Sequence, residues 1–366
     1  MADTLYFSRD TQVFIKLGSA IWSIPVLDGF SFSQATNASE ITLNEMADTS
    51  GNSRRGRQMF TDSYAPAEWS FSTYMRPFAS EGSGSGAADS SAKHHAVEEV
   101  LWALMVGDAT YSSNTFPGFT ADTTDLDITF TNSNKTTLGP ATAAGAEFFF
   151  VMGGAGSGTK TTYKITGCVV NEASIDFDID GIATINWSGF GKIITEDTAP
   201  TATVFEATNS TTNFIRNRLT SLTISSTSPT STTYDLVLTG GNVTISNNIT
   251  FLTPETLGVV NQPLGHVTGT RSISGNFTCY LNAEANSSAD LFENIIEGTT
   301  TITNDFDLLF KVGGTATPRV ELAMTDCHLE VPAHSIDDVI SLETNFHALP
   351  SSISGTDELT IKYVGA

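Results

Sequence analysis

Basic residues are scarce in this chain: 17 Lys and Arg stand against 40 Asp and Glu in 366 residues, a formal charge of −23. Such a balance lacks the electropositive surface that gripping a phosphate backbone requires, which argues against nucleic-acid binding as the main business of the protein. Cysteine is nearly missing as well. Cys168, Cys279 and Cys327 are too few and too far apart for a disulfide framework, no CxxC pair points to zinc, and buried thiols are the expectation. No apolar run approaches the about 20 residues of a membrane-spanning helix. The opening "MADTLYFSRDTQVFIKLG" scatters charges among its apolar residues, where a secretory signal has a basic segment and then an apolar one. A soluble protein made in the cytoplasm of its producing cell, without membrane association, is expected.

Recognisable site chemistry is also lacking. "EFFFVMGGAGSGTKTTYKI" (147–165) approaches a phosphate-cradling loop, but Thr159 rather than glycine precedes Lys160, and strand-like sequence follows where a helix N-terminus is needed. "DFDIDG" sets Asp176, Asp178, Asp180 and Gly181 at the first ligand positions of a calcium loop, yet Trp187 stands where the bidentate Glu belongs. His94, His95, His328 and His334 lack metal-binding spacing, and there is no GxSxG, activated-cysteine or paired-carboxylate signature. No catalytic residue, cofactor or metal site is assigned.

What the chain does contain is Ser, Thr, Asn and Gly in abundance together with 23 Phe, the composition of a β-rich protein. It also contains an internal repeat. "FFFVMGG" (148–154) aligns with "LLFKVGG" (308–314) at an offset of 160, and "GCVVNEA" (167–173) with "DCHLEVPA" (326–333) at an offset of 159. "FSTYM" (71–75) matches "FTCYL" (277–281), and "LDGFSFSQ" (27–34) resembles "LTGGNVTISN" (238–247). Between matched strands each half carries one helical pattern, "AVEEVLWALMVG" (96–107) and "SADLFENIIEG" (288–298), closed by glycine. The order predicts two tandem copies, 1–200 and 201–366, joined through the Thr-rich 196–213. Segments 79–95 and 111–130 read as loop insertions in the first copy. The fold class is mainly β: two β-sandwich or β-barrel domains, each with one short flanking helix.

Two charged features stand out. "IDFDIDG" alternates so that Asp176, Asp178 and Asp180 share one strand face while Ile175, Phe177 and Ile179 share the other. The segment "NEMADTSGNSRRGRQMF" (44–60) places Arg54, Arg55 and Arg57 in a Gly/Ser-rich loop. It is either a solvated loop or an arm reaching an acidic surface on a neighbouring copy, where opposite charge would fix register.

"IWSIPVLDGFSFSQATNASEITLNE" (21–45), the basic loop, "AEWSFSTYMRP" (67–77) followed by the single helix, and the closing "WSGFGKI" (187–193) and "ETNFHALP" (343–350) together resemble the tail tube proteins of long-tailed bacteriophages. The resemblance implies a non-enzymatic structural virion protein of the tail, assembled in the bacterial host cytoplasm. It would self-associate with other tail proteins into stacked rings of six such folds, around an acidic lumen through which DNA passes without specific binding. With two copies per chain, a pseudo-six-fold ring of three chains is expected in preference to a hexamer. Carried onto this sequence, the resemblance makes 44–60, with Arg54, Arg55 and Arg57, the inter-ring loop. Its counterpart is 251–274, where only His266 and Arg271 are basic. Asp176, Asp178 and Asp180 would face either the lumen or outer solvent. The competing readings are a tandem β-sandwich adhesin or capsid-decorating protein, and a hydrolase or carbohydrate-binding enzyme on a β-sandwich, the latter weakened by the missing catalytic signature.

Overall fold

Period-two alternation governs most of the chain, and the computed structural model turns it into strands. It describes residues 6, 8–42, 49–52, 56–80, 93–107, 109–130, 137–140, 145–153, 160–204, 213–226, 231–297, 306–336 and 338–365. The N-terminal half contributes β1 (Gln12–Leu17), β2 (Ala20–Ile24), β3 (Ser31–Thr42), β4 (Arg57–Tyr74), β5 (Pro77–Ala79), β6 (His94–Ala96), α1 (Glu99–Val106), β7 (Phe119–Ala121), β8 (Asp125–Thr129), β9 (Ala146–Met152), β10 (Thr161–Phe177), β11 (Thr184–Gly191) and β12 (Ile194–Asp197). The C-terminal half contributes β13 (Ser221–Ser226), β14 (Thr232–Leu236), β15 (Leu238–Ser246), β16 (Thr250–Leu252), β17 (Gly265–Val267), β18 (Ser272–Tyr280), α2 (Ser288–Glu297), β19 (Phe306–Val312), β20 (Arg319–Leu329), β21 (Ala333–Ile336), β22 (Ile340–Ala348) and β23 (Thr360–Val364).

The named strands pair antiparallel, and two of them are long enough to serve two sheets. The first part of β10 lies in an outer sheet ordered β2–β1–β9–β10–β12, and its second part continues into an inner order β10–β11–β4–β3. In the C-terminal half β20 behaves in the same way, with an outer order β14–β13–β19–β20–β23 and an inner order β20–β22–β18–β15. The halves meet where β10 pairs with β15, from Glu172↔Ser246 to Phe177↔Gly241. One inner sheet therefore runs β3–β4–β11–β10–β15–β18–β22 and on to β20 and β21 without closing on itself.

Both outer sheets pack on the same face of this inner sheet, as the layers of a β-sandwich do. Trp69 meets Phe148 across the layers at 4.6 Å, and Phe310 lies 5.0 Å from Phe177 and 5.8 Å from Phe346. A single core cluster extends from Val13 to Tyr363 and draws on both halves. Helix α1 is buried along its whole length, sets Trp102 against Trp187 at 4.7 Å, and ends at Gly107 with φ 103°, a left-handed position where glycine carries no Cβ penalty. The glycine that was expected to close α2 lies outside the described residues. All three cysteines are buried free thiols, raised in pKa chiefly by burial.

Two local expectations are corrected. Segment 111–130 is not simply a loop: its "DLDITF" alternation buries Leu126, Ile128 and Phe130, and β8 extends the C-terminal outer sheet by pairing with β23 from Thr360↔Thr129 to Val364↔Asp125. The Ile175–Ile179 alternation stops early, because β10 ends at Phe177 and Ile179 is exposed past its end.

The inner sheet has the same space filled in two ways. In the N-terminal half Gly189 on β11 lies opposite Trp69 on β4; in the C-terminal half Phe346 on β22 lies opposite Gly275 on β18. A Cβ on Gly189 would come 2.0 Å from the Val169 carbonyl oxygen and 2.5 Å from the Trp69 ring, and one on Gly275 would come 2.0 Å from the Asn242 oxygen and 2.8 Å from the Phe346 ring. Each pair admits one aromatic side chain and requires its neighbour to have none.

A buried polar cluster ties the last strand to α1. The Tyr363 hydroxyl donates to Glu98 Oε1 at 2.5 Å and accepts from Trp102 Nε1 at 2.7 Å, while the Arg76 backbone N–H donates to the same Glu98 oxygen at 3.3 Å. His95 and Glu99 pair beside it at 2.7 Å. Burial pushes the Glu98 carboxyl up to about 7, with the hydrogen bond from Tyr363 the largest opposing influence.

Two outcomes follow. Gly189→Ala should destabilise the chain by about 2–3 kcal/mol, while Gly56→Ala, with nothing within 4 Å of the added carbon, should be close to neutral, as read by chemical denaturation. The folded-state pKa of Glu98 lies above its unfolded value, so its contribution is fully present below 4.5 and is lost as pH rises through about 7. Glu98→Gln keeps an acceptor for Tyr363 without the charge. Thermal melts should find it more stable than wild type at pH 8, by up to roughly 3 kcal/mol, with the advantage gone near pH 5.

Candidate functional site

With its other face packed into the core, the inner sheet presents a second face built from short polar side chains. Read across the strands, one row runs Ser31, Ser70, Ser188, Glu172, Ser246, Ser272, and the next runs Ser72, Asn186, Ser174, Thr244, Ser274, His347. Neighbours in this lattice bond to one another: Ser31 and Ser70 hydroxyls meet at 2.8 Å, Ser72 donates to Asn186 Oδ1 at 2.6 Å, and Asn186 Nδ2 donates to Asp176 at 3.2 Å. The acids on this face are Glu68, Glu172, Asp176, Glu343 and, at the edge beyond β20, Glu330, which lies 3.5 Å from His347 Nε2. No Lys or Arg occurs in residues 31–42, 58–74 or 169–177, nor in β11, β15, β18, β21 or β22. Cations are instead found on the outer sheets, where Lys16 and Lys164 flank Glu147 at 2.7 and 3.6 Å and Lys362 meets Asp127 at 3.2 Å. The charge of the molecule is thus segregated by layer.

The three aspartates of "DFDIDG" part company. Asp176 belongs to the polar face. Asp178 and Asp180 lie past the end of β10, where Asp178 accepts from the Ile179 backbone N–H at 2.7 Å and Asp180 meets Arg218 at 3.5 Å. His95 is engaged with Glu99, and His334 lies edge-on to Phe292 at 4.9 Å. The tip of the glycine-rich loop, 154–159, lies outside the described residues.

Two strand edges of the inner sheet are left without a partner among the described residues. Over Ser31–Thr42, β3 pairs only with β4. At the opposite side, β20 beyond Cys327 and all of β21 pair only with β22, and the exposed apolar residues Val331 (66%) and Ile336 (78%) belong to this edge. Unpaired edges carrying apolar side chains are the surfaces on which chains associate.

Past the body of the sheet, β3 and β4 continue as a two-stranded arm from Thr36↔Tyr64 to Thr42↔Arg57. A second hairpin, β16–β17, leans on it: Tyr64 N–H donates to the Asn261 carbonyl at 2.9 Å and Asn261 N–H to that of Asp62 at 3.0 Å. Arg54 and Arg55 lie outside the described residues, and Arg57 is paired with Glu40 of its own hairpin at 3.5 Å. Neither basic residue expected on the second arm is available to a neighbour. His266 Nε2 accepts from the Leu138 backbone N–H at 2.8 Å, with its pKa lowered by burial and then by Lys192. Arg271 Nη2 meets both oxygens of Glu358 at 2.6 Å. The arms instead expose apolar groups: Ile41, Met59 and Phe60 on the first, Leu257, Val259, Val260 and Leu264 on the second. Their trace in the sequence is the apolar "LGVV" inside a Pro/Gly-containing loop, which charge counting passes over.

Comparison with known proteins places these surfaces in a family. The family described as phage tail tube protein matches residues 43–348. The tail tube protein pb6 of Escherichia phage T5 is 30% identical over 372 residues, covering 97% of this chain and 75% of the phage T5 protein.

The two basic contacts at the arms should differ in consequence. Arg271 and Glu358 side chains are each 9% exposed, so Arg271→Ala strands a buried carboxylate and should cost about 3 kcal/mol or more. Glu40→Ala at the exposed Arg57 pair should change stability by less than about 1 kcal/mol, both read by urea denaturation.

Proposed function

This chain belongs to the phage tail tube protein family, a structural and non-enzymatic component of the virion tail that self-associates into a tube, and from that premise we propose how its copies join. The halves 1–200 and 201–366 are read as two copies of one fold, and three chains close a pseudo-six-fold ring. The β10–β15 joint inside the chain is the observation that carries this reading. In the N-terminal half β3 is the outer strand beside β4, as β15 is beside β18 in the C-terminal half; the β20–β21 edge follows β22 as the second part of β10 follows β11. A chain thus holds one completed joint and, at its two ends, the unpaired counterparts of that joint. Ala333 lies opposite Glu343 where Ser174 lies opposite Asn186, and Ser33 lies opposite Glu68 where Thr244 lies opposite Ser274. Since Ser174 pairs with Thr244 within the chain, Ala333 of one copy pairs with Ser33 of the next. Contacts of this head-to-tail kind generate rings when the rotation closes.

In such a ring the polar face of the inner sheet becomes the lumen wall. Glu68, Glu172, Asp176 and Glu343, with no Lys or Arg in the inner-sheet segments that carry them, repel a phosphate backbone, and short side chains bonded to their neighbours offer it no grip. DNA passes without specific binding. Asp178 and Asp180 sit at the rim of the sheet rather than on its wall. The arms project toward the adjoining ring, with Arg54, Arg55 and Arg57 on the first arm as contacts between rings. Assembly with the other tail proteins takes place in the cytoplasm of the bacterial host.

A cysteine pair tests the joint. Ser33→Cys with Ala333→Cys in one chain should oxidise between copies and give covalent trimers on non-reducing gels, whereas Ser174→Cys with Thr244→Cys should form its bridge within the chain. Monomers that stay uncrosslinked in assembled material, or an open ladder without a trimer limit, would count against the closed ring.

A further inference from the structure

Two apolar features lie at opposite ends of the inner sheet. At the end where β10 and β18 stop and β15 begins, a cleft of about 240 Å³ opens between Phe177, Asn217, Leu238, Gly240 and Tyr280. Exposed Ile179 belongs to its apolar lining. On its lining Asn217 is only 7% exposed, and while its Nδ2 reaches the Asp176 carbonyl at 3.5 Å, its Oδ1 has no hydrogen-bond partner among the described residues. At the other end the second hairpin arm projects, with Leu257 fully exposed and Val259, Val260 and Leu264 largely so; Glu255 is the single charged residue of 251–265.

We propose that the tip of the second arm, Leu257 to Leu264, docks into the Asn217–Tyr280 cleft of a second copy in the adjoining ring. The proposal rests on the ring reading above and adds the surface through which rings stack. Displacing one copy along the strand direction brings the arm end of one molecule against the cleft end of the next, which a rotation about that direction does not. The apolar tip covers Ile179 and Tyr280, the exposed apolar residues of the cleft lining. With a formal charge of −23 on every copy, an adhesive contact that does not depend on pairing opposite charges is what stacking of identical rings requires.

The test uses the full chain assembled into tubes. Leu257→Asp with Val259→Asp, both at exposed positions, should leave circular dichroism and the trimer mass by native mass spectrometry unchanged while abolishing tubes in negative-stain images. Val259→Cys with Ile179→Cys should oxidise into covalent species larger than one ring. In about 1 M salt, where charges are screened within about 3 Å, wild-type tubes should persist. Tubes of normal length from the double-aspartate variant, cysteines that stay reduced within intact tubes, or dissolution at high salt would overturn the docking. A failed ring reading would show separately, as wild-type protein without trimers.

Discussion

A β-strand edge is a row of donors and acceptors that must be paired, covered or hydrated, and the joint between β10 and β15 is where this chain meets that constraint. It turns two half-sheets into one surface, draws the aromatic core of both halves into a single cluster, and leaves the remaining edges at the two extremes of the inner sheet. Because β10 and β20 each pass from an outer sheet into the inner one, the layers cannot slide independently: a shift in the register of the joint would be felt in the packing behind it.

The glycine and aromatic pairs show how tightly that register is held. Whether the ring comes from β4 as Trp69 or from β22 as Phe346, its neighbour across the ladder is glycine. Volume is conserved at the level of the pair rather than the residue, so comparing single positions between the halves finds Trp against Gly and Gly against Phe and reads them as unrelated. The cross-strand pair, one aromatic ring against one glycine, is the unit the two ladders have in common.

Much of the architecture was legible in the sequence because it rests on local pattern. Alternation announced the strands, apolar spacing closed by glycine announced α1, and the lack of cysteine spacing announced buried thiols. Less legible were the features set by tertiary context. "DFDIDG" keeps its alternation past Phe177, but the strand stops there, so only Asp176 joins the polar face. Leu126 and Ile128 looked like part of an insertion, although their alternation was sufficient to add a strand to the other half. Arg271 and His266 were visible as charges, whereas their engagement with Glu358 and the Leu138 backbone depends on residues 87 and 128 positions away. The acids of the polar face carried a readable signal: Glu68 and Glu343 are each set between two inward-facing side chains of a strand.

The ladder that joins the halves also has a mechanical direction. Antiparallel hydrogen bonds lie across the strands, so tension applied along β10 and β15 loads the bonds from Glu172↔Ser246 to Phe177↔Gly241 together, in shear. Force applied across the strands opens them one after another, as a zip opens. The same joint is therefore stiff against stretching along its strands and weak against peeling across them.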